Sequence, residues 1–290
     1  RARPEGFDPY RKEGWKVLGG TLEGLMALVA WGVDVVFPVL HGRFGEDGTL
    51  QACLRAAGVP FVGSASLASA LANDKVRAKE VFRFHGIPTP DFEVLTPAVR
   101  RRHRLETGER LAGRLGLPLV LKDPCGGSSL EVRVAEDVGA VATAIQDLVE
   151  PSGRLLVEAF VPGRELTAGV LDVRGHRGPT ALPIVEIRPR GGGTFDYHEK
   201  YSADGAAELC PAPLDQAAER RARELGLAVH VALGLEGLSR TDLILTEDGS
   251  LSVLEVNTLP GMTQRGLVPK AAQVAGFPFP ALVEILVRGA

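Results

Sequence analysis

The chain has 290 residues, 45% hydrophobic and 24% charged, enough for a sizeable core and for two or three domains. Its formal net charge is −3 with acids and bases interleaved, which argues against a nucleic-acid partner; the one dense basic run, Arg100 to Arg104, reads as a solvated helix start. Cys53, Cys125 and Cys210 are too far apart for metal-ligand spacing and point to a reducing, cytoplasmic setting, and no stretch approaches the ~20 apolar residues of a membrane span.

The chain opens on Arg1-Ala2-Arg3-Pro4 without an initiator methionine or a signal-peptide core, so a preceding segment is expected. Val33 to Leu40 is β-branched and almost wholly apolar, as in a parallel strand buried on both faces. A helix over Leu50 to Ala57 and a short strand over Val59 to Val62 follow. Ser64 to His85 reads as one helix, capped by Ser64 or Ser66 and ended by Gly86. This alternation predicts an α/β unit over residues 1–88 that is incomplete at its start.

Beyond the Ile87-Pro88-Thr89-Pro90 punctuation, the pattern becomes α+β. A strand and a helix lead to a strand over Pro118 to Lys122, a Gly/Ser turn, a hairpin partner over Glu131 to Val134, a helix over Glu136 to Val149 and a strand over Arg154 to Phe160. Residues 89–164 are therefore expected as one small domain and 165–290 as another. In the latter, strands over Glu165 to Asp172 and Ala181 to Ile187 precede a Gly-rich stretch, Arg188 to Gly205, longer than a usual connection, as lids and disordered loops are. Leu214 to Gly234 reads as a long amphipathic helix.

Chemistry concentrates on one predicted hairpin. Leu238 to Leu245 and Leu251 to Thr258 are joined through Glu247-Asp248-Gly249-Ser250, a two-residue turn signal that would pair Asp242 with Glu255 and Arg240 with Asn257 on one face. Two facing carboxylates repel unless a cation lies between them. A magnesium ion bound by Asp242, Glu255 and the Asn257 carbonyl satisfies this, and so does a surface ladder neutralised by Arg240. The exit turn, Thr258-Leu259-Pro260-Gly261-Met262-Thr263, favours the metal by holding backbone N–H groups beside it, suited to an oxyanion. A second cluster is Lys122 with Asp123-Pro124-Cys125-Gly126-Gly127-Ser128-Ser129, whose amides and hydroxyls suit phosphate, though such a turn is often only a hairpin. Glu158 and Glu165 flank Val161-Pro162-Gly163; on their own they read as solvated acids at strand ends.

Taken in order, these segments resemble the ATP-grasp superfamily and, within it, the D-alanine–D-alanine ligases, from about Val33 to the C-terminus. The resemblance rests on Phe37 to Gly48 (FPVLHGRFGEDG), Asp74-Lys75, Gly127 to Ser129, Val157-Glu158, Pro162 to Glu165, Phe195 to Tyr201, Arg240 to Asp242 and Leu254 to Thr263 (LEVNTLPGMT). It implies ATP gripped between two small sheets with two Mg²⁺ ions, replaceable by Mn²⁺, and a homodimer that makes a peptidoglycan precursor from D-alanine. By resemblance, Lys75, Lys122 and Ser129 serve the phosphates, Glu158, Ala159 and Val161 the adenine, and Glu165 the ribose. Asp242, Glu255 and Asn257 hold metal. Lys200 and Tyr201 lie on the closing loop, Ser128 partners that tyrosine, His41 approaches the second amino acid, and Arg240 with the Gly261 amide stabilises the tetrahedral oxyanion.

Three positions depart from the family. Its Gly-Gly-x-Ser-x-Glu segment has no match before Val33, an acceptor-binding serine is replaced by Gly266, and Glu131 stands where glycine is usual. Two alternatives follow: ligation of a different acceptor, and nucleotide binding with little catalysis.

Overall fold

The structure, a computed structural model, describes residues 20–96, 103–126, 132–148, 153–173, 178–188 and 207–290. Its first part carries α1 (Thr21–Ala30), α2 (Thr49–Ala56), α3 (Ser66–Asn73) and α4 (Lys75–Phe84). The predicted buried strand over Val33 to Leu40 is a correction. Among the described residues it makes a single parallel bridge, Val36 to Phe61, and Val39 and Leu40 are exposed. An apolar run becomes a two-faced strand only where neighbours cover both faces.

The single helix expected over Ser64 to His85 is two. The chain breaks at Asp74, whose extended backbone (φ −85°, ψ 97°) frees its carboxylate to accept from the N–H groups of Val76 and Arg77 and so cap α4. Neither serine caps α3; the Ser66 hydroxyl donates to Gly48 O at 2.7 Å and that of Ser64 to Glu236 O at 3.2 Å. Gly86 (φ +69°) ends the helix pair as expected.

Next come β1 (Phe92–Leu95), α5 (Arg104–Leu115), β2 (Leu119–Lys122), β3 (Val132–Ala135), α6 (Val138–Asp147) and β4 (Leu155–Ala159). The strands form an antiparallel sheet ordered β1-β4-β2-β3, covered by the apolar faces of α5 and α6 through Leu111, Val141 and Ile145. Fully burying each such side chain is worth about 1.5–3 kcal/mol.

The remainder builds an antiparallel sheet ordered β10-β9-β5-β7-β8, from β5 (Arg164–Asp172), β7 (Val185–Arg188), β8 (Ala207–Leu209), β9 (Gly237–Leu245) and β10 (Leu251–Asn257), with β6 (Thr180–Ala181) beside β5. The strand expected over Ala181 to Ile187 is thus two pieces that both pair with β5. One sheet face packs on α3, α4 and α7 (Gln216–Ala232), and part of the other on α8 (Leu267–Val274) and α9 (Phe279–Arg288). In α7 the residues Ala218, Ala222, Gly226 and Val229 form the buried stripe. A Cβ on Gly226 would lie 2.8 Å from the Ala168 Cβ, so glycine sets how closely helix and sheet approach. No single helix among the described residues is long and apolar enough to cross a membrane.

Candidate active site

The hairpin β9–β10 pairs Asp242 with Glu255 and Arg240 with Asn257, as expected, but by a different route. The turn is wider than two residues. Leu251 pairs with Leu245, and Thr246 N–H bonds Ser250 O at 3.0 Å around Gly249 (φ +81°). A bulge between Val253 and Glu255 then shifts the register by one. The shift reverses the side-chain alternation, so Val253 and Val256 both enter the core while Glu255 and Asn257 turn to the face of Arg240 and Asp242. The linker pins the bulge: Val253 N–H donates to Pro88 O at 2.8 Å and the Thr89 hydroxyl donates to Val253 O at 2.8 Å.

Asp242 is buried, and Arg240 grips it through two donors at 2.9 and 3.1 Å while the Thr167 hydroxyl donates to it at 2.8 Å. Arg240 does neutralise an acid, then, but within a cleft rather than on a surface ladder. Glu255 meets Lys75 at 3.3 Å. Burial pushes the Glu255 carboxyl up, but Lys75, Lys122 and Arg240 together pull it down to about 2, so it is ionised at neutral pH. The Asn257 carboxamide oxygen accepts from Leu259 N–H at 2.8 Å, which uses one of its two lone pairs.

The four-stranded sheet supplies the opposite wall. Glu158 and Glu165 are 2% and 3% exposed, which corrects the reading of both as solvated strand-end acids. Both oxygens of Glu158 are engaged by ammonium groups, one by Lys122 at 2.5 Å and the other by Lys79. Burial raises the Glu158 carboxyl, yet the pull of Lys122 and then Lys79 leaves it below the usual carboxylate range. Between the two sheets opens a cleft that is continuous with solvent. Val120, Lys122, Glu158 and Ala159 line it from one sheet, Glu165, Ile244 and Leu254 from the other, and Val161 from the connection.

Lys75 joins the two walls. Its N–H donates to Pro124 O at 2.9 Å and its ammonium to Gly126 O at 2.8 Å, placing it between the Asp123–Gly126 turn and Glu255. The predicted residues Lys75, Lys122, Glu158, Ala159, Val161, Glu165, Arg240, Asp242, Glu255 and Asn257 thus gather about one cleft. His41 is exposed, with its ring 3.9 Å from Glu46. Gly261 is in the exit turn, where its carbonyl oxygen would lie 2.4 Å from a Cβ on Gly266, so this turn closes too tightly for the side chain the family carries there. Ser128, Ser129, Glu131, Lys200, Tyr201 and the stretch 189–205 fall outside the described residues.

Lys79 is the residue that sequence reasoning passed over. Its signal was the four-residue spacing from Lys75, which puts both lysines on one helix face, together with the apolar Val76 and Phe82 on that buried side. The donor set of Asp242, Glu255 and Asn257 is all oxygen and fits a hard divalent cation. Among the described residues no group of three or more His, Cys, Asp or Glu side chains gathers elsewhere to compete for one.

Two antiparallel sheets closing on a cleft, with Lys122 and Glu158 on one wall and Glu165 on the other, define a protein of the ATP-grasp fold. The family model described as "D-ala D-ala ligase C-terminus" matches residues 81–288 and its N-terminal counterpart matches residues 25–64. The D-alanine–D-alanine ligase of Oleidesulfovibrio alaskensis is 43% identical over 282 residues, 97% of this chain and 84% of that protein. That of Nitratidesulfovibrio vulgaris is 44% identical over 268 residues, 92% and 84% of the two chains. Among solved structures, the Bacillus anthracis D-alanine–D-alanine ligase complexed with ATP superposes with a TM-score of 0.74 at 31% identity, covering 91% of this chain and 82% of that one. The VanG D-Ala:D-Ser ligase of Enterococcus faecalis gives 0.78 at 33% identity, covering 88% and 72%. The chain belongs to the D-alanine–D-alanine ligase family.

Proposed function

We propose that this protein joins two D-alanine molecules at the expense of ATP, through an acyl phosphate, to make a peptidoglycan precursor. One observation carries the reading: Lys122 and Glu158 of the small sheet face Glu165 of the large sheet across a single cleft, and the hairpin's ionised Glu255, paired with Lys75 of α4, lies near enough to Lys122 to act on its charge. In this reading Glu158, Ala159 and Val161 receive the adenine, Glu165 the ribose, and Lys75, Lys122 and Ser129 the phosphates. Asp242, Glu255 and Asn257 hold two magnesium ions, which when bound neutralise the triphosphate and polarise its terminal phosphoryl group. The domain boundaries at residues 88–89 and 164–165, a cytoplasmic location and a homodimer belong to the same proposal.

Catalysis is then mostly the meeting of like charges. Lys75, Lys122 and Arg240 lower the repulsion as the carboxylate of the first amino acid attacks the γ-phosphorus; an O–P bond forms, the β–γ bridge breaks and ADP leaves. The second amino acid, bound near His41, brings a neutral amine to the acyl carbon. A C–N bond forms, and inorganic phosphate and a proton depart. Arg240 and the Gly261 amide steady the oxyanion between these events. Lys200, Tyr201 and Ser128 close the site and keep water from the acyl phosphate.

The acceptor is where a second reading has an observation behind it. The turn closed around Gly266 lacks a hydroxyl, and a solved relative is titled a D-Ala:D-Ser ligase. Phosphate release measured with a panel of D- and L-amino acids decides this. Strict dependence on D-alanine is expected; a preference for D-serine as acceptor transfers the assignment to the second reading, and indifference to D-alanine refutes both.

A further inference from the structure

Lys79 has no part in the function proposed above, yet it is a fully buried lysine, 0% exposed, in direct contact with Glu158. Its ammonium also donates to the Thr89 hydroxyl at 2.5 Å and lies 5.8 Å from the centre of the Phe92 ring. Thr89 in turn holds the bulge of β10 through Val253 O. Every group around Lys79 is therefore fixed by the fold: helix α4, the linker, β1 and β4.

Lys122 differs in one respect that decides between the two lysines. It lines the cleft and Lys79 does not. Glu158 is the ion-pair partner of both, and Glu255 lies near enough to Lys122 to raise its pKa further against the effect of burial. Of these two lysines, only Lys122 is open to a nucleotide phosphate entering the cleft. If Lys122 turned to the phosphate and Glu158 had no other partner, a carboxylate would be left buried and unpaired, an outcome that costs far more than a surface pair is worth.

We propose that Lys79 is a positioning residue, the fixed countercharge that keeps Glu158 ionised and in place when Lys122 leaves it for a nucleotide phosphate. The proposal rests on the reading of Lys122 as a phosphate ligand. Two ammonium groups on one carboxylate are redundant while the cleft holds no phosphate and become necessary once it does. Burial pushes Lys79 down to about 8 in spite of Glu158, so the second cation is held at a cost that the free protein has no need to bear.

The test compares ATP with adenosine, which carries the base and ribose but no phosphate, by calorimetric titration of the full chain with magnesium. Lys79→Met keeps the length of the side chain and leaves the Lys122–Glu158 pair whole. ATP affinity is expected to fall by more than about tenfold, while adenosine affinity changes by less than about threefold. Adding Glu158→Gln removes the carboxylate that needs a partner, so Lys79→Met/Glu158→Gln is expected to bind ATP as well as Glu158→Gln alone. Equal losses for ATP and adenosine, or no loss for either, overturn the proposal, because Lys79 would then only shape the adenine wall or do nothing there. Should Lys79→Met fail to fold, the double variant carries the test, and weaker ATP binding than Glu158→Gln alone overturns it. Lys122→Met separates the two levels of inference. It is expected to lose ATP affinity and keep adenosine affinity, and wild-type ATP binding would refute the phosphate role itself.

Discussion

On the six-stranded wall the two hairpin acids each have their own cation, Asp242 with Arg240 and Glu255 with Lys75, so these charges cancel pair by pair. On the four-stranded wall one acid, Glu158, takes two cations, and a positive charge is left over. A magnesium–triphosphate ligand meets both arrangements with groups of the opposite sign. In the proposed reading the hairpin acids would hold metal, which would leave Arg240 and Lys75 to phosphate, while the second wall would give Lys122 to phosphate and keep its acid paired with Lys79. The contrast separates the labour of the cleft: the hairpin handles metal and reaction charge, the small sheet the nucleotide itself.

The sharpest way to break this division is Asp242→Asn, which removes a proposed metal ligand and leaves the other wall untouched. Magnesium-dependent turnover is expected to fall on the order of a thousandfold or more, while metal-free ATP binding, followed by calorimetry, stays near its original value. Equal loss of both would mean that the walls do not act separately.

A smaller effect is expected at Thr167, whose buried hydroxyl orients Asp242 without reaching the cleft's ligands. Thr167→Val should raise the magnesium concentration needed for half-maximal activity about tenfold, and Thr167→Ser should restore it. No change in the magnesium requirement would remove Thr167 from the metal site.

The weakest expected effect lies in acid. Glu255 has a folded pKa of about 2 against an ordinary 4.5, so its ion pairs stabilise the fold above about pH 4.5 and that contribution drains away as pH falls toward 2. Glu255 is partly exposed and water screens it, which limits the contribution to less than about 1 kcal/mol. Thermal unfolding followed from pH 5 to 2 should show a slightly steeper loss for the wild type than for Glu255→Gln; parallel curves would contradict the pairing.

The two walls also differ in how far the sequence reveals them. Arg240, Asp242, Glu255 and Asn257 sit within eighteen residues on one hairpin, so local spacing alone places them on a common face. Even there the predicted two-residue turn was wrong, and the bulge that corrects the register leaves no mark in the alternation until Val253 and Val256 are seen to share a core. The other wall is assembled across distance. Lys79 and Glu158 are separated by most of a domain, and nothing near Glu158 announces that it will be buried between two lysines. Val33 to Leu40 shows the same limit from the other side, an apolar run whose burial depended on neighbours that only tertiary structure supplies.

Whether one nucleotide spans both walls is decided by a crystal structure with magnesium and a non-hydrolysable ATP analogue. The base is expected beside Glu158, Ala159 and Val161, with the triphosphate between Lys122 and the Asp242–Glu255 pair. A nucleotide bound outside this cleft, or bound within it with the oxygens of Asp242 and Glu255 turned away from the phosphates, would contradict this placement.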